Sequence, residues 1–193
     1  PSLEKVLSVV GLLSQKNGDF VLAYRTENDF WLAGYNQRGQ LQDGQQGRSL
    51  FGIKGGIRIP GTEKLHFQTI HHLVNIDNGD FLVVGIMGNQ SIEDFDSERG
   101  MFAILRYTSS GLLRSEFGEN GKILNQPLQR RWEDPRISFD PNTKRIYLFG
   151  IIHRMYDKYN ESAHSEYDDS HKETHFAWYC YNEKGKPCIE FPE

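Results

Sequence analysis

No apolar run in this chain approaches the roughly 18 residues that a membrane-crossing helix needs. No basic segment followed by a short hydrophobic stretch opens it, so any export signal is expected to have been removed or never to have existed. Positive charge is not in excess. The 22 Lys and Arg face 26 Asp and Glu, for a net charge of −4, the wrong sign for a surface that follows a phosphate backbone, so a nucleic-acid partner is not expected. Neither a Gly-x-Ser-x-Gly elbow nor a Walker-type phosphate loop occurs. The only two cysteines, Cys180 and Cys188, lack a nearby His with the Asn or Asp that would mark a nucleophile pair.

What is present is repetition. Phe20-Val-Leu-Ala and Phe30-Trp-Leu-Ala-Gly-Tyr-Asn-Gln-Arg-Gly39 are echoed by Phe81-Leu-Val-Val and Phe102-Ala-Ile-Leu-Arg-Tyr-Thr-Ser-Ser-Gly111. Ile146-Tyr-Leu-Phe and Phe176-Ala-Trp-Tyr-Cys-Tyr-Asn-Glu-Lys-Gly185 echo them again. An apolar run ending in Tyr, three polar or small residues, then Gly, reads as a strand entering a hairpin whose Gly takes positive φ. Leu41, Leu113 or Pro187 follows two residues after each Gly. Upstream, Asn17-Gly-Asp19, Asn78-Gly-Asp80 and Asp140-Pro-Asn-Thr-Lys144 supply a second tight turn per unit.

Each unit therefore reads as four antiparallel strands. The first strands are expected at 6–14, 67–76 and 136–139, the second at 20–25, 81–87 and 146–153, and the third at 30–35, 102–107 and 176–181. Outer strands after the Gly turns are the least marked, because edge strands carry more polar residues. Four-stranded units in series are the wiring of propeller blades. The expected fold is all-β: one domain over 1–193, a propeller-like array of three four-stranded antiparallel blades at about 3–50, 65–125 and 132–193. Since a closed propeller needs about four to eight blades, three form a partial propeller within a longer chain, half of a six-bladed ring made by two copies, or an open array with capped ends.

The segment from Phe102 to Ile123, with Arg106-Tyr107, the turn to Gly111, Phe117-Gly118 and Gly121-Lys122-Ile123, resembles the bacterial delta-60 repeat, a propeller-type unit. In the first unit Gly44 and Gly47 are expected to match Gly118 and Gly121. The third keeps the turn and ends at Phe191 without the Gly pair. The likeness covers almost the whole chain at about 60 to 65 residues per unit, against about 40 to 50 in the commonest propeller blades. It implies a propeller-type scaffold of bacterial origin and brings no general catalytic signature.

The units differ most in the loop between the second and third strands, which is Thr26 to Asp29 in the first, 88–100 in the second and 154–175 in the third. Loops of variable length on a rigid scaffold are where recognition is built. The connection 129–134 gathers Arg130, Arg131, Trp132, Glu133 and Asp134, and Arg and Trp are frequent interface anchors. With Tyr156, Tyr159 and Tyr167 of the third insertion, these are the candidate partner-binding residues. Residues 156–175 hold six acidic side chains against two lysines, as much net charge as the whole chain carries, which marks a solvated loop or a surface for a basic partner.

Metal chemistry has two candidate places. His164, Asp168, His171 and His175 are spaced four, three and four apart, and on a helical turn would form an imidazole and carboxylate set for a divalent metal ion. Asp94, Asp96 and Glu98 alternate like a calcium loop but lack the Gly and terminal Glu of an EF-hand. His66, His71 and His72 fall on or near an inner strand, where a packed, hydrogen-bonded role is the default. Cys180 and Cys188 flank the third Gly turn. They face each other across it if the hairpin is centred on Lys184, and a bridge there would imply an oxidising compartment, but two separate small strand residues are the default reading.

The function these features favour is a non-catalytic, propeller-type protein-interaction module without a cofactor. Its recognition face would be built from 129–134 and the insertions 88–100 and 154–175, and a secreted or exported location is slightly favoured. The alternatives are a glycan or lactone hydrolase with a metal or carboxylate site at the channel mouth, and a structural spacer in a long protein.

Overall fold

The computed structural model describes residues 5–62, 65–88, 101–125, 130–154 and 173–188, with the backbone alone at 125, 130–134, 152–154 and 173–175. Every regular element except the single turn of 3-10 helix at Asp77–Gly79 is a strand, so the all-β expectation holds among the described residues. The first sheet is β1 (Ser8–Ser14), β2 (Phe20–Arg25), β3 (Phe30–Tyr35) and β4 (Gly56–Arg58). The second is β5 (His66–Asn75), β6 (Phe81–Gly88), β7 (Met101–Tyr107) and β8 (Lys122–Asn125), and the third is β9 (Arg130–Asp140), β10 (Arg145–Arg154) and β11 (Glu173–Tyr181). All three are antiparallel with neighbouring strands consecutive in sequence, four, four and three strands wide.

The period-2 patterns lie where the alternation predicts them, and registers repeat from sheet to sheet. Phe20 pairs with Tyr35, Phe81 with Tyr107, and Ile146 with Tyr181. The three turn glycines adopt φ of 73° at Gly39, 81° at Gly111 and 75° at Gly185, a region that side chains with a Cβ resist. Beyond each turn the chain crosses back as Tyr35 opposite Leu41, Tyr107 opposite Leu113, and Tyr181 opposite Pro187.

The sheets stack face to face in chain order, with β5 packing between β1 and β9. One core lies between the first and second sheets, from Leu13, Val21, Ala23, Phe30 and Leu32 on one side to Phe81, Val83, Leu105 and Tyr107 on the other. A second core joins Leu82, Val84, Phe102 and Ile104 to Ile146, Leu148 and Tyr181. Odd and even positions of a strand thus serve different neighbours, which is why the middle strands β6 and β7 read as nearly continuous apolar runs.

Among the described residues the third sheet has three strands where four are expected, and three further expectations are corrected. The segment 130–134 is strand, not a connection: β9 begins at Arg130 and pairs Arg131 with His153 and Glu133 with Ile151. Pro135 does not stop it, because the register shifts there and a proline in a bulge owes no ladder hydrogen bond. The first unit does not end near 50, since its fourth strand lies at Gly56–Arg58. The match of Gly44 and Gly47 to Gly118 and Gly121 also fails. Phe51-Gly52-Ile53-Lys54-Gly55-Gly56-Ile57 is the counterpart of Phe117-Gly118-Glu119-Asn120-Gly121-Lys122-Ile123, with φ of 56° at Gly52 against 57° at Gly118 and 88° at Gly55 against 86° at Gly121. The Phe51 amide donates to Gln42 O at 2.8 Å as the Phe117 amide does to Arg114 O at 3.0 Å. A small hairpin, closed by Asp43 opposite Leu50, is inserted between Gln42 and Phe51.

Candidate interaction surface

Two devices repeat along the stack, one between neighbouring sheets and one within each sheet. The first is a latch. Gly52 N–H donates to Ser110 O at 2.8 Å, and Gly118 N–H donates to Lys184 O at 2.8 Å, so each Phe-Gly turn grips the Gly turn of the following sheet. The preceding aromatic, Phe51 or Phe117, is almost wholly buried. Phe51 packs so tightly over Gly34 that a Cβ there would sit 2.4 Å from its ring, and a Cβ on Gly111 would sit 2.9 Å from it. Only glycine admits the ring at Gly34, a close approach rather than a need for positive φ.

The second device ties the start of each Gly turn to its return. Gln42, Arg114 and Cys188 donate backbone N–H to the carbonyls of Gly34, Arg106 and Cys180, each at 2.9 Å. Around this one bond the side chains differ. In the first sheet Gln42 Nε2 donates to Asp19 Oδ2 at 2.7 Å. In the second, Arg106 Nε and Arg114 Nε both donate to Asp80 Oδ2 at 3.0 Å, and Arg114 Nη2 reaches Oδ1 at 3.1 Å. Asp80 is 1% exposed. It holds the Arg114 guanidinium above its ordinary pKa through that hydrogen bond and its charge. In the third, Cys180 and Cys188 form a disulfide with Cα atoms 5.3 Å apart. Arg145 occupies the place of Asp19 and Asp80.

Other charged groups serve turns. The Asp43 carboxyl is lowered by the Gln45 amide and by Arg48, and Asp140 by the Thr143 hydroxyl and the Asn142 amide. A cleft of about 310 Å³ opens between the second and third sheets, lined by Asp77, Arg106, Phe139, Lys144, Ile146 and Glu183. Three of its charged groups, Asp77, Arg106 and Lys144, are already engaged. Lys144 pairs with Asp77, and Arg106 Nη1 donates to Glu183 O at 2.7 Å.

The outward faces of the end sheets are different. On the third sheet Tyr147, Phe149, Ile151, Phe176 and Trp178 share the side away from the second sheet, Phe149 being paired with Trp178 and Ile151 with Phe176. Phe176 is 71% exposed, Trp178 41% and Ile151 40%. Tyr147 and Phe149 stack at 6.3 Å, and Phe149 meets Phe176 at 6.5 Å, making a continuous aromatic strip. On the first sheet the side away from the second carries Leu12, Phe20, Leu22, Tyr24, Trp31 and Tyr35. Leu12 is exposed, and Phe20 stacks on Tyr35 at 5.2 Å.

Of the residues singled out from sequence, Arg130, Arg131, Trp132, Glu133 and Asp134 lie along β9 in backbone position. Tyr156, Tyr159, Tyr167, His164, Asp168 and His171 lie outside the described residues, as do Asp94, Asp96, Glu98 and nearly all of both insertions. His175 is not on a helical turn. It belongs to β11, opposite Ile152. His72 has the packed role, its Nε2–H donating to Pro135 O at 2.7 Å and so linking β5 to the bulge of β9. Among the described residues no three His, Cys, Asp or Glu side chains are grouped as a metal set. Sequence reading missed the aromatic strip because outward and inward positions of β10 and β11 are equally apolar. The one signal was the rule that a row of three must leave two end faces.

No protein-family model matches this chain, and no curated protein matches it.

Proposed function

We propose that this chain is a non-catalytic protein-interaction module on a propeller-type scaffold, the scaffold being what its resemblance to the delta-60 repeat implies, and that it binds through the outward face of the third sheet. The supporting observation is the strip of Phe149, Ile151, Phe176 and Trp178, open to solvent at the end of the stack. Contiguous exposed aromatics are uncommon on isolated domains and mark contact surfaces. Aromatic side chains are also the residues that carry most interface energy. The disulfide between Cys180 and Cys188 favours an oxidising compartment, and so a secreted or exported protein.

The test is affinity capture with the oxidised chain, read by cross-linking to the bound protein. Cross-links are expected at the third sheet and are expected to vanish in Trp178→Glu, with far-UV circular dichroism and melting temperature retained. Capture that survives this substitution, or that maps elsewhere, removes the reading.

A further inference from the structure

The stacking has a direction, and its two ends are unlike. Positions on β2 and β3 that face the following sheet are Val21, Ala23, Phe30 and Leu32 in the first sheet. Their counterparts in the second are Leu82, Val84, Phe102 and Ile104, which pack on the third. In the third sheet the same positions are Tyr147, Phe149, Phe176 and Trp178, and they form the exposed strip. Positions that face the preceding sheet are Phe81, Val83, Leu105 and Tyr107 in the second and Ile146, Leu148, Tyr179 and Tyr181 in the third. In the first they are Phe20, Leu22, Ala33 and Tyr35, on its outward side. One end therefore presents the surface that elsewhere covers a following sheet, and the other presents the surface that elsewhere receives it.

The turns carry the same asymmetry. Gly111 and Gly185 are gripped by the preceding sheet, at 2.9 Å from Phe51 and 2.8 Å from Gly118 to a Cβ built on each, whereas nothing lies within 4 Å at Gly39. On the receiving side of the first sheet Phe20, Leu22 and Tyr35 are half-buried and Leu12 is 63% exposed.

We propose that the occupant of both ends is a second copy of this chain, joined head to tail, with the third sheet of each protomer on the first sheet of its partner. This rests on the interaction-module reading and names its partner. It continues an interface that the molecule already makes twice, between first and second and between second and third sheets. Stoichiometry follows from closure. A ring of stacked antiparallel sheets closes at about four to eight, and two copies of the three sheets described here bring six. A head-to-tail contact that closes forms a finite ring rather than a filament.

The experiment is light scattering on the oxidised full chain and two variants. Wild type is expected at twice its chain mass of 22.3 kDa. Phe176→Glu and Leu12→Glu, each at an exposed position of one end, are each expected to be monomeric, with dissociation about 30-fold weaker or more, the scale for a residue central to an interface. Circular dichroism and melting of both monomers report that they are folded. Mixed in equal amounts, the two variants are expected to regain a two-chain species, because one of the two junctions then has both faces intact. A wild-type chain that stays monomeric overturns the proposal, and so does a Leu12→Glu variant that still dimerises, which would mean that like faces meet. Capture of another protein by a monomeric wild type, lost in Trp178→Glu, would overturn self-association alone and leave the module reading standing.

Discussion

In the second sheet Arg106 and Arg114 stand on either side of one backbone hydrogen bond and converge on the carboxylate of Asp80; in the third, Cys180 and Cys188 stand at the same two places and are joined directly. The backbone bond is 2.9 Å in both, so the geometry is common and the fastening is not. Both fasten the return of the Gly turn, the element that the preceding sheet grips. An ionic tie depends on its buried carboxylate, a covalent one on redox conditions. The position tolerates either because it asks only that two strand ends stay together.

The largest effect is expected from Asp80→Ala. Removing a carboxylate that is 1% exposed leaves two guanidinium groups side by side, and unfolding in denaturant should show a loss of about 3 kcal/mol, the lower end for breaking a buried pair. A loss near that of an exposed ion pair would reduce the tie to a surface contact.

The paired substitution Cys180→Ser with Cys188→Ser should cost somewhat less, about 2.5 kcal/mol, from the entropy of a loop of this length in the unfolded chain. Reducing the wild-type chain should produce the same shift in denaturant midpoint and leave the double variant unmoved. A variant as stable as wild type would make the third sheet's return self-sufficient.

A smaller effect is expected at Tyr107, the turn tyrosine of the second sheet. Its ring is 1% exposed between two sheets, and its hydroxyl has no hydrogen-bond partner among the described residues. Tyr107→Phe should raise stability by about 1 kcal/mol, the low end of the cost of burying an unsatisfied polar group. Burial also raises the phenol's pKa in the folded state. The folded chain keeps that proton while the unfolded chain releases it above about pH 10, so stability is complete below that pH and falls above it. The variant should lack this part of the alkaline loss. If wild type and variant lose stability in parallel above pH 10, the phenol is not the group responsible.

The second and third strands of each unit, and the Gly turns, were legible because two local signals coincide there: an apolar run ending in Tyr, and a Gly at a position requiring positive φ. Phe51-Gly52 was not legible as the partner of Phe117-Gly118. The hairpin inserted after Gln42 offers its own pair of glycines first, and spacing alone prefers the nearer pair. The start of β9 was hidden by Pro135, which reads as a stop until the bulge that accommodates it is seen. The proximity of Cys180 and Cys188 across a turn was visible, but their bond was not, since two small strand residues there read as separate by default. The pair's place in a series with Arg106–Arg114 and Gly34–Gln42 emerged from the shared backbone bond.

Residue pattern alone was enough for the all-β class, the three-fold repetition and most strand pairings, since alternation and turn chemistry act over a few residues. It was silent on which side of each strand faces which neighbour. In a stack where both sides of the middle sheet are buried, inward and outward positions carry the same apolar residues, and only the packing of one sheet against the next distinguishes a covered face from an open one. The aromatic strip, the latches and the polarity of the ends are properties of that packing.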